Sequence, residues 1–149
     1  PPIFLTPPPR NTPFALVSWA RRCVYETEEM QNHLMWVDYK DNKILINTEQ
    51  GRKKTVNIRK EPFISLVIFH PSDMYTCWEI RGVVGNIVQD STANDHIDYL
   101  SNRYSGKPYG RTKDVTWEQA GFKSREIWEI DVNKVISMVS RAQAKSASE

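Results

Sequence analysis

The middle of the chain has the pattern of apolar residues expected of β-structure. Residues 34–39 and 43–48 are β-rich and flank an Asp41-Asn42 turn, which predicts a hairpin. Residues 63–69 form a nearly continuous apolar run, which predicts a strand buried on both faces.

The second half of the sequence predicts two further strands. Residues 76–88 are strand-like but contain two glycines, which indicate a bulge or a bend. Residues 125–132 alternate well enough for a final strand with Trp128, Ile130 and Val132 on its apolar face.

Two helices are predicted between these strands. The first is short and covers residues 52–60. The second begins at Thr92, which has capping-box spacing to Asp95, and ends at Gly106. Mostly antiparallel strands with two helices predict a small barrel of the α+β class.

The two ends of the chain carry less information. Residues 1–13 are rich in proline and are expected to form an extended arm, while residues 140–149 are small and polar and are expected to fray. Residues 14–32 give no clear pattern and are left open. With no internal repeat and no linker, we expect a single domain over residues 1–149.

Composition supports a folded domain. The chain has 149 residues, of which 40% are apolar, and no run approaches the roughly 18 apolar residues that a membrane span needs. Two cysteines, Cys23 and Cys77, are too few for a disulfide scaffold and have no metal-ligand spacing. There is also no signal-peptide pattern. We therefore expect a reduced cytoplasmic protein with no membrane partner and no metal.

Charge is concentrated in one place. The formal net charge is only +2, yet a nine-residue stretch holds five basic residues: Arg52, Lys53, Lys54, Arg59 and Lys60. The rest of the chain is slightly acidic. Such a local focus favours a discrete anion, such as a phosphate, over a long nucleic-acid surface, so no nucleic-acid partner is expected. A solvated helix face is the structural alternative.

The basic cluster lies where a strand gives way to a helix. Gly51 lets the backbone approach a ligand closely, and the first turn of a helix presents unpaired N–H groups. Arg52 adds a bidentate fork and Lys53 a mobile charge. This segment is therefore predicted to bind a phosphate.

Several motifs in order support a family resemblance. They are Trp36-Val37-Asp38-Tyr39, Ile46-Asn47-Thr48, Gly51-Arg52-Lys53-Lys54, Asn57-Ile58-Arg59-Lys60-Glu61-Pro62, Glu79-Ile80-Arg81-Gly82, His96-Ile97-Asp98-Tyr99-Leu100, Arg103-Tyr104 and Gly106-Lys107. This block resembles the pyridoxamine 5'-phosphate oxidase-like split-barrel family of flavin and deazaflavin oxidoreductases. Within that family it is most similar to the branch that depends on cofactor F420.

The resemblance implies a predominantly antiparallel split β-barrel that binds FMN or F420, with F420 favoured. It also implies a homodimer with the cofactor at the subunit interface, and hydride transfer between the cofactor and a small organic substrate. Nine residues would contact the cofactor: Arg52 and Lys53 at the phosphate with Lys54 as a second candidate, Asn47 and Thr48 at the phosphate or ribityl chain, Met35 and Trp36 near the ring, and Cys77 and Trp78 approaching the ring from the other subunit. No catalytic residue is identified.

Structural roles remain open at several of these positions. Trp36 and Trp78 also fit a core or a dimer interface, Cys77 fits a small buried apolar group, and Asn47 and Thr48 fit the end of a strand.

The sequence also departs from the family pattern. Gly51 stands where a serine is frequent, Cys77 stands where pyridoxamine phosphate oxidases have a glutamine, and no arginine-rich motif follows Arg125. Oxidation of pyridoxamine phosphate is therefore not expected. The alternative function is a non-catalytic flavin- or haem-binding module that stores or senses its ligand on the same barrel.

Overall fold

A computed structural model describes residues 15–18, 32–70 and 73–138. The arm predicted for residues 1–13 and the tail predicted for residues 140–149 lie outside the described residues. The segment that the sequence left open, residues 14–32, is described only in part: residues 15–18 form a short strand, and Asn32 begins the next one.

The described part of the chain forms seven strands and two helices: β1 (Ala15–Ser18), β2 (Asn32–Met35), β3 (Val37–Lys40), β4 (Lys43–Glu49), α1 (Lys53–Lys60), β5 (Phe63–His70), β6 (Asp73–Val88), α2 (Thr92–Ser105) and β7 (Arg125–Met138). The strands pair antiparallel in one sheet with the order β2-β1-β5-β6-β7-β4-β3. The predicted α+β class, with its antiparallel sheet and two short helices, is confirmed. None of the described helices is long and apolar enough to cross a membrane.

The first predicted hairpin is confirmed at its turn but not along its first strand. Asp41 and Asn42 both have positive φ, at 52° and 61°, as a two-residue hairpin turn requires. The single strand predicted over residues 34–39 is broken at Trp36, so that β2 pairs with β1 while β3 pairs with β4. Trp36 is therefore the point where the chain passes from one end of the strand order to the other.

The core is a cluster of apolar side chains that come from the strands of the sheet and from helix α1. Its fully buried side chains come mainly from β4, β5 and β7: Ile44, Ile46, Leu66, Trp128 and Ile130. The predicted apolar face of β7 was wrong at Val132, which is 38% exposed. Beyond Ile130, β7 runs on to Met138 with mostly exposed side chains, because this part of the strand extends past the core.

The two glycines of β6 allow a close approach to β7. A Cβ atom on Gly82 would lie 2.5 Å from the Asp131 carbonyl oxygen, and one on Gly85 would overlap the Asp131 carboxylate. Register shifts between β6 and β7 occur at both glycines. The bulge predicted from these residues is confirmed.

Helix α2 begins and ends as predicted, but with a different cap. Gly106 closes it in the left-handed conformation, at φ 74°, and its N–H donates to the Asn102 carbonyl. Thr92 was predicted as the N-cap, but Ser91 occupies that position without a side-chain bond. The Asp90 carboxylate instead accepts hydrogen bonds from the N–H of Thr92, at 2.9 Å, and from its hydroxyl.

Helix α1 is held against β7 by an ion pair. Arg59 donates through Nη2 and Nη1 to the two carboxylate oxygens of Glu126, at 2.6 and 3.2 Å. Glu126 is fully buried and also accepts from Trp128 Nε1 at 2.7 Å and from Gln89 Nε2 at 3.1 Å. This network fixes the helix that carries the basic cluster relative to the strand that begins at Arg125.

Candidate functional site

A pocket of about 280 Å³ lies where β2, β4 and β7 meet helices α1 and α2. Residues 33–36 form one wall, and residues 47–49 at the end of β4 form the opposite one. The beginning of α1, one face of α2 and the first residue of β7 complete it. It is the site where residues from both ends of the strand order come together.

Three cations line this pocket. Lys54 is 6% exposed and Arg125 is 7% exposed, whereas Arg52 lies at the rim, 3.3 Å from the Glu49 carboxylate. Burial, together with the charges of Arg52 and Arg125, lowers the pKa of Lys54 to about 8. Burial also lowers the pKa of Arg125. The pocket is therefore electropositive and suited to an anion.

The predicted phosphate-binding segment contributes two of these cations. Arg52 occupies the N-cap of α1 without a side-chain cap, and the first turn of the helix contains no acidic residue. Lys54 faces the pocket, with its Nζ 3.4 Å from the Met35 sulfur. Lys53 is exposed and does not line the pocket. The second-candidate lysine thus lies inside the site and the first-candidate lysine beside it.

Asn47 borders the pocket, but its amide group is bonded within the chain. Its Nδ2 donates to the Ala93 carbonyl oxygen at 2.6 Å and lies 3.3 Å from His96 Nδ1. Its Oδ1 accepts a hydrogen bond from Arg125 Nε. Through these contacts of Nδ2 and Oδ1, the Asn47 amide joins β4 to α2 and β7.

Thr48, by contrast, has a buried hydroxyl that finds no partner among the described residues. The residue is 1% exposed and lines the pocket. A buried hydroxyl without a hydrogen bond costs free energy, and a polar ligand in the pocket would remove that cost.

Aromatic side chains also contribute to the site. The Trp36 ring stacks on Tyr104 with ring centroids 5.6 Å apart and meets the edge of Tyr109 at 6.3 Å. The Tyr104 hydroxyl donates to the Val37 carbonyl oxygen at 3.0 Å, and burial raises the pKa of this tyrosine. Met35 and Trp36 both line the pocket, and their contact with a cofactor ring stays a prediction.

Solved structures share this arrangement of strands and helices. An F420 reductase aligns with a TM-score of 0.65 at 21% identity, over 85% of this chain and 90% of the other. A putative pyridoxamine 5'-phosphate oxidase from Listeria innocua has a TM-score of 0.56 at 12% identity, over 85% and 89%. An FMN-binding, pyridoxamine 5'-phosphate oxidase-related protein from Nostoc punctiforme has a TM-score of 0.52 at 12% identity, over 82% and 71%. This protein has the split-barrel fold. The fold expected from the sequence motifs is confirmed, although no protein-family model and no curated protein matches the sequence.

Two predicted contact residues lie away from the pocket of the split barrel. Cys77 is buried on β6, opposite Phe69 and Met138, and Trp78 packs against the core. Their approach to a ring from a second subunit stays a prediction. In the described part of the chain, no group of His, Cys, Asp and Glu is placed to hold a metal ion.

Sequence reasoning missed Arg125 and Tyr109. The Arg125 guanidinium lies 4.8 Å above the Tyr109 ring, and both residues line the pocket of the split barrel. Arg125 pairs in register with Glu49, at the end of the strand that carries Asn47 and Thr48. A basic residue at the start of a predicted strand was the available signal, but only the pairing of β4 with β7 gives it meaning.

Proposed function

We propose that this split barrel binds FMN or F420 and transfers a hydride between that cofactor and a small organic substrate. The observation that supports the proposal is one pocket whose lining has two parts, a group of cations and the aromatic ring of Trp36. A phosphorylated cofactor with a planar ring matches both parts, because cations bind its phosphate and an aromatic side chain contacts its ring. The names of the similar structures, an F420 reductase and an FMN-binding protein, agree with this choice.

The basic residues of the pocket fit a phosphate. Arg52 and Lys54 would neutralise its charge, and the first turn of α1 adds unpaired N–H groups. The Thr48 hydroxyl would gain the partner that it lacks within the chain. Lys53, exposed next to Arg52, would contact the phosphate only from the outer side of the pocket.

The aromatic and apolar residues of the pocket fit a flat ring. Trp36 is held in place by its stacking on Tyr104, so that its orientation is set before a ligand arrives. Met35 and two buried residues of α2, Ile97 and Leu100, supply an apolar surface beside it. When bound, the cofactor supplies the hydride chemistry, and these side chains bind it, orient it and exclude water.

A second copy of the chain would complete the site. A cavity of about 280 Å³ lies just below the range of roughly 300–1,000 Å³ for small-molecule pockets, whereas FMN and F420 are large ligands. The far end of the β6–β7 pair exposes apolar side chains, Tyr75 (78%) and Met138 (40%) on one face and Val135 (42%) on the other, and dimers cover exposed apolar residues of this kind. We therefore propose a homodimer with the cofactor between its subunits.

Binding is tested by titrating the purified protein with FMN, F420 and haem. We expect FMN or F420 to bind at micromolar concentration, seen as quenching of the cofactor fluorescence. Failure of both to bind would overturn the proposal. Binding of haem alone, recognised by its Soret absorption band, would favour the haem-binding alternative.

The location of the phosphate is tested with variants of α1. Arg52→Ala and Lys54→Ala should each weaken binding by about tenfold, because each removes a charge-assisted hydrogen bond worth about 1.5–3 kcal/mol. Lys60→Ala removes an exposed charge at the other end of the same helix and serves as the matched control. Equal affinities for all four proteins would show that Arg52 and Lys54 do not hold the phosphate.

Hydride transfer is tested separately from binding. The loaded protein in its reduced form is mixed with a panel of small quinones, enones and nitroaromatic compounds, and reoxidation of the cofactor is followed by absorbance. We expect at least one compound to reoxidise the bound cofactor faster than it reoxidises the free one. A cofactor that binds but is protected from every acceptor would instead indicate a storage or sensing module.

A further inference from the structure

We infer that Arg125 is an anion-binding residue of the pocket and that Asp38, His96 and Asn47 form a hydrogen-bonded chain that positions it. The inference rests on the proposed function and deepens it, because it names the residue that would recognise an oxyanion. That oxyanion is either the phosphate of the cofactor or an acidic group of the substrate.

The first step is the burial of a charge. The Arg125 side chain is 7% exposed, and none of the ion pairs formed within the described residues includes it. The nearest carboxylate across the strand pair, Glu49, lies 3.3 Å from Arg52 instead. A buried cation without a counter-ion is costly, and an anion bound in the pocket would remove that cost.

The second step is the orientation of the Asn47 amide. Because Arg125 Nε can only donate, the atom facing it must be the amide oxygen of Asn47. The amide nitrogen then donates one hydrogen to the Ala93 carbonyl oxygen, at 2.6 Å, and directs the other toward His96. The amide therefore has one orientation, and Arg125 is held by its Nε.

The third step is the state of His96. Its Nδ1 faces the amide nitrogen of Asn47 at 3.3 Å and must accept, so the ring proton is on Nε2, which lies 3.3 Å from Asp38 Oδ2. Asp38 also accepts a hydrogen bond from Arg103 Nη1 at 3.2 Å. Burial alone raises the pKa of Asp38, but the hydrogen bond with His96 and the charge of Arg103 outweigh it and keep this pKa below its ordinary value. The chain therefore starts from a fixed carboxylate.

The result is a guanidinium that is fixed at Nε and lines the pocket. Asn47 occupies Nε, and the Tyr109 ring lies 4.8 Å from the guanidinium carbon and restricts its tilt. The terminal nitrogens of an arginine held in this way can donate two parallel hydrogen bonds to a phosphate or a carboxylate. The unpartnered Thr48 hydroxyl in the same pocket offers a third polar contact. In this arrangement Arg125 contacts the ligand, and the other three are positioning residues.

The test uses sulfate, whose charge is constant near neutral pH, and calorimetric titration of the cofactor-free protein. Arg125→Gln should weaken sulfate binding by about tenfold or more. Asn47→Leu should weaken it several-fold when Arg125 is present, and should have no further effect in the Arg125→Gln background. A merely structural role for Asn47 would give the same loss in both backgrounds and would overturn the positioning chain.

Two further variants keep the test decisive if Asn47→Leu does not fold. Asn47→Asp preserves the size of the side chain but supplies the counter-ion that Arg125 lacks, so sulfate binding should fall by about tenfold. His96→Gln, which retains a polar side chain, should lower affinity less than Arg125→Gln does. Unchanged sulfate affinity in Asn47→Asp and Arg125→Gln would overturn the inference.

Titrations with FMN and riboflavin identify the source of the anion. If Arg125→Gln weakens binding of FMN but not of riboflavin, the residue recognises the cofactor phosphate. If it affects neither, yet weakens sulfate binding to the FMN-loaded protein, the residue recognises an acidic substrate. Should FMN and F420 both fail to bind while sulfate depends on Arg125, the proposed function fails and the anion site stands.

Discussion

Arg59 of α1 reaches across to Glu126 of β7 and forms two hydrogen bonds with a carboxylate that is completely buried. Glu126 is the neighbour of Arg125, and successive side chains of a strand point to opposite faces of the sheet. Glu126 therefore fixes helix α1, which carries Arg52 and Lys54 at its start. The adjacent Arg125 lines the same pocket as those two residues. The position of the cations depends on this single strand end.

Replacing Arg59 should therefore destabilise the fold. Arg59→Met should lower the free energy of unfolding by about 3 kcal/mol, the lower end of the range for breaking a buried ion pair, because Trp128 and Gln89 still donate to Glu126. Urea denaturation measures the change. Arg81→Met is the matched control, since its ion pair with Glu79 is at the surface and is worth about 1 kcal/mol or less. Equal losses in the two variants would contradict the structural role of Arg59.

Lys54 should make stability depend on alkaline pH. Its pKa is about 8 in the folded protein and 10.5 when unfolded, so between these values the unfolded state binds more protons and stability rises with pH. Lys54→Met lacks this effect. The variant should be more stable than the parent below pH 8, and the advantage should shrink as the pH approaches 10.5.

Thermal unfolding of both proteins at intervals across this range measures the difference. Lys53→Met, which removes an exposed ammonium, is the control, and its difference from the parent should stay constant. The same titration predicts that sulfate affinity of the parent falls as the pH rises through about 8, because Lys54 loses its charge. Sulfate affinity that does not change across this range would show that Lys54 does not contact the anion.

Thr48 should exchange stability for binding. Thr48→Val keeps the shape of the side chain and removes the unpartnered hydroxyl, so we expect it to raise the free energy of unfolding by about 1 kcal/mol and to weaken binding of the cofactor several-fold. Thr55→Val is the matched control. Thr55 is equally buried, but its hydroxyl donates to the Arg52 carbonyl oxygen at 2.7 Å, so its loss should destabilise by about 1 kcal/mol. Changes of the same sign would refute this account of Thr48.

The two glycines of β6 should differ in their tolerance of a methyl group. Gly82→Ala places Cβ 2.5 Å from a backbone oxygen of Asp131, which cannot move without shifting β7, so a loss of about 1–3 kcal/mol is expected. Gly85→Ala meets only the Asp131 carboxylate, which is exposed and can rotate away. Its loss in urea denaturation should be clearly smaller. A larger loss for Gly85→Ala would contradict the close approach of the two strands at Gly82.

Local patterns were sufficient for the elements whose cause is local. The Asp41-Asn42 turn and the end of α2 at Gly106 depend on φ values that few residues adopt, and the bulge of β6 depends on its glycines. The break at Trp36 is different in kind. Residues on either side of it pair with strands that are distant in sequence, and nothing in the local alternation records those partners.

The site was predictable to the same degree. The segment predicted to bind an anion contributes Arg52 and Lys54 to the pocket, but the choice between Lys53 and Lys54 depends on the rotation of α1, which its packing on β7 determines. Asn47 lines the pocket and its contact with a cofactor stays a prediction, whereas its hydrogen-bond partners come from α2 and β7. Arg125 enters the site through the register of β4 with β7, a relationship that one sequence does not contain.

Because Trp36 joins the two edge strands of the sheet, a ligand in the pocket should affect the local stability of those strands. β2 and β3 are the two edge strands of the sheet, and Trp36 alone separates them in sequence. The two edges of the sheet therefore meet at Trp36. The pocket lies beside these two edges and is lined by residues of β2 as well as of β4 and β7. A ligand that contacts β2 together with β4 or β7 would link the two edges of the sheet. Its binding free energy would then oppose local opening of the edge strands. Backbone amides of β2 should then exchange their hydrogens more slowly in the loaded protein.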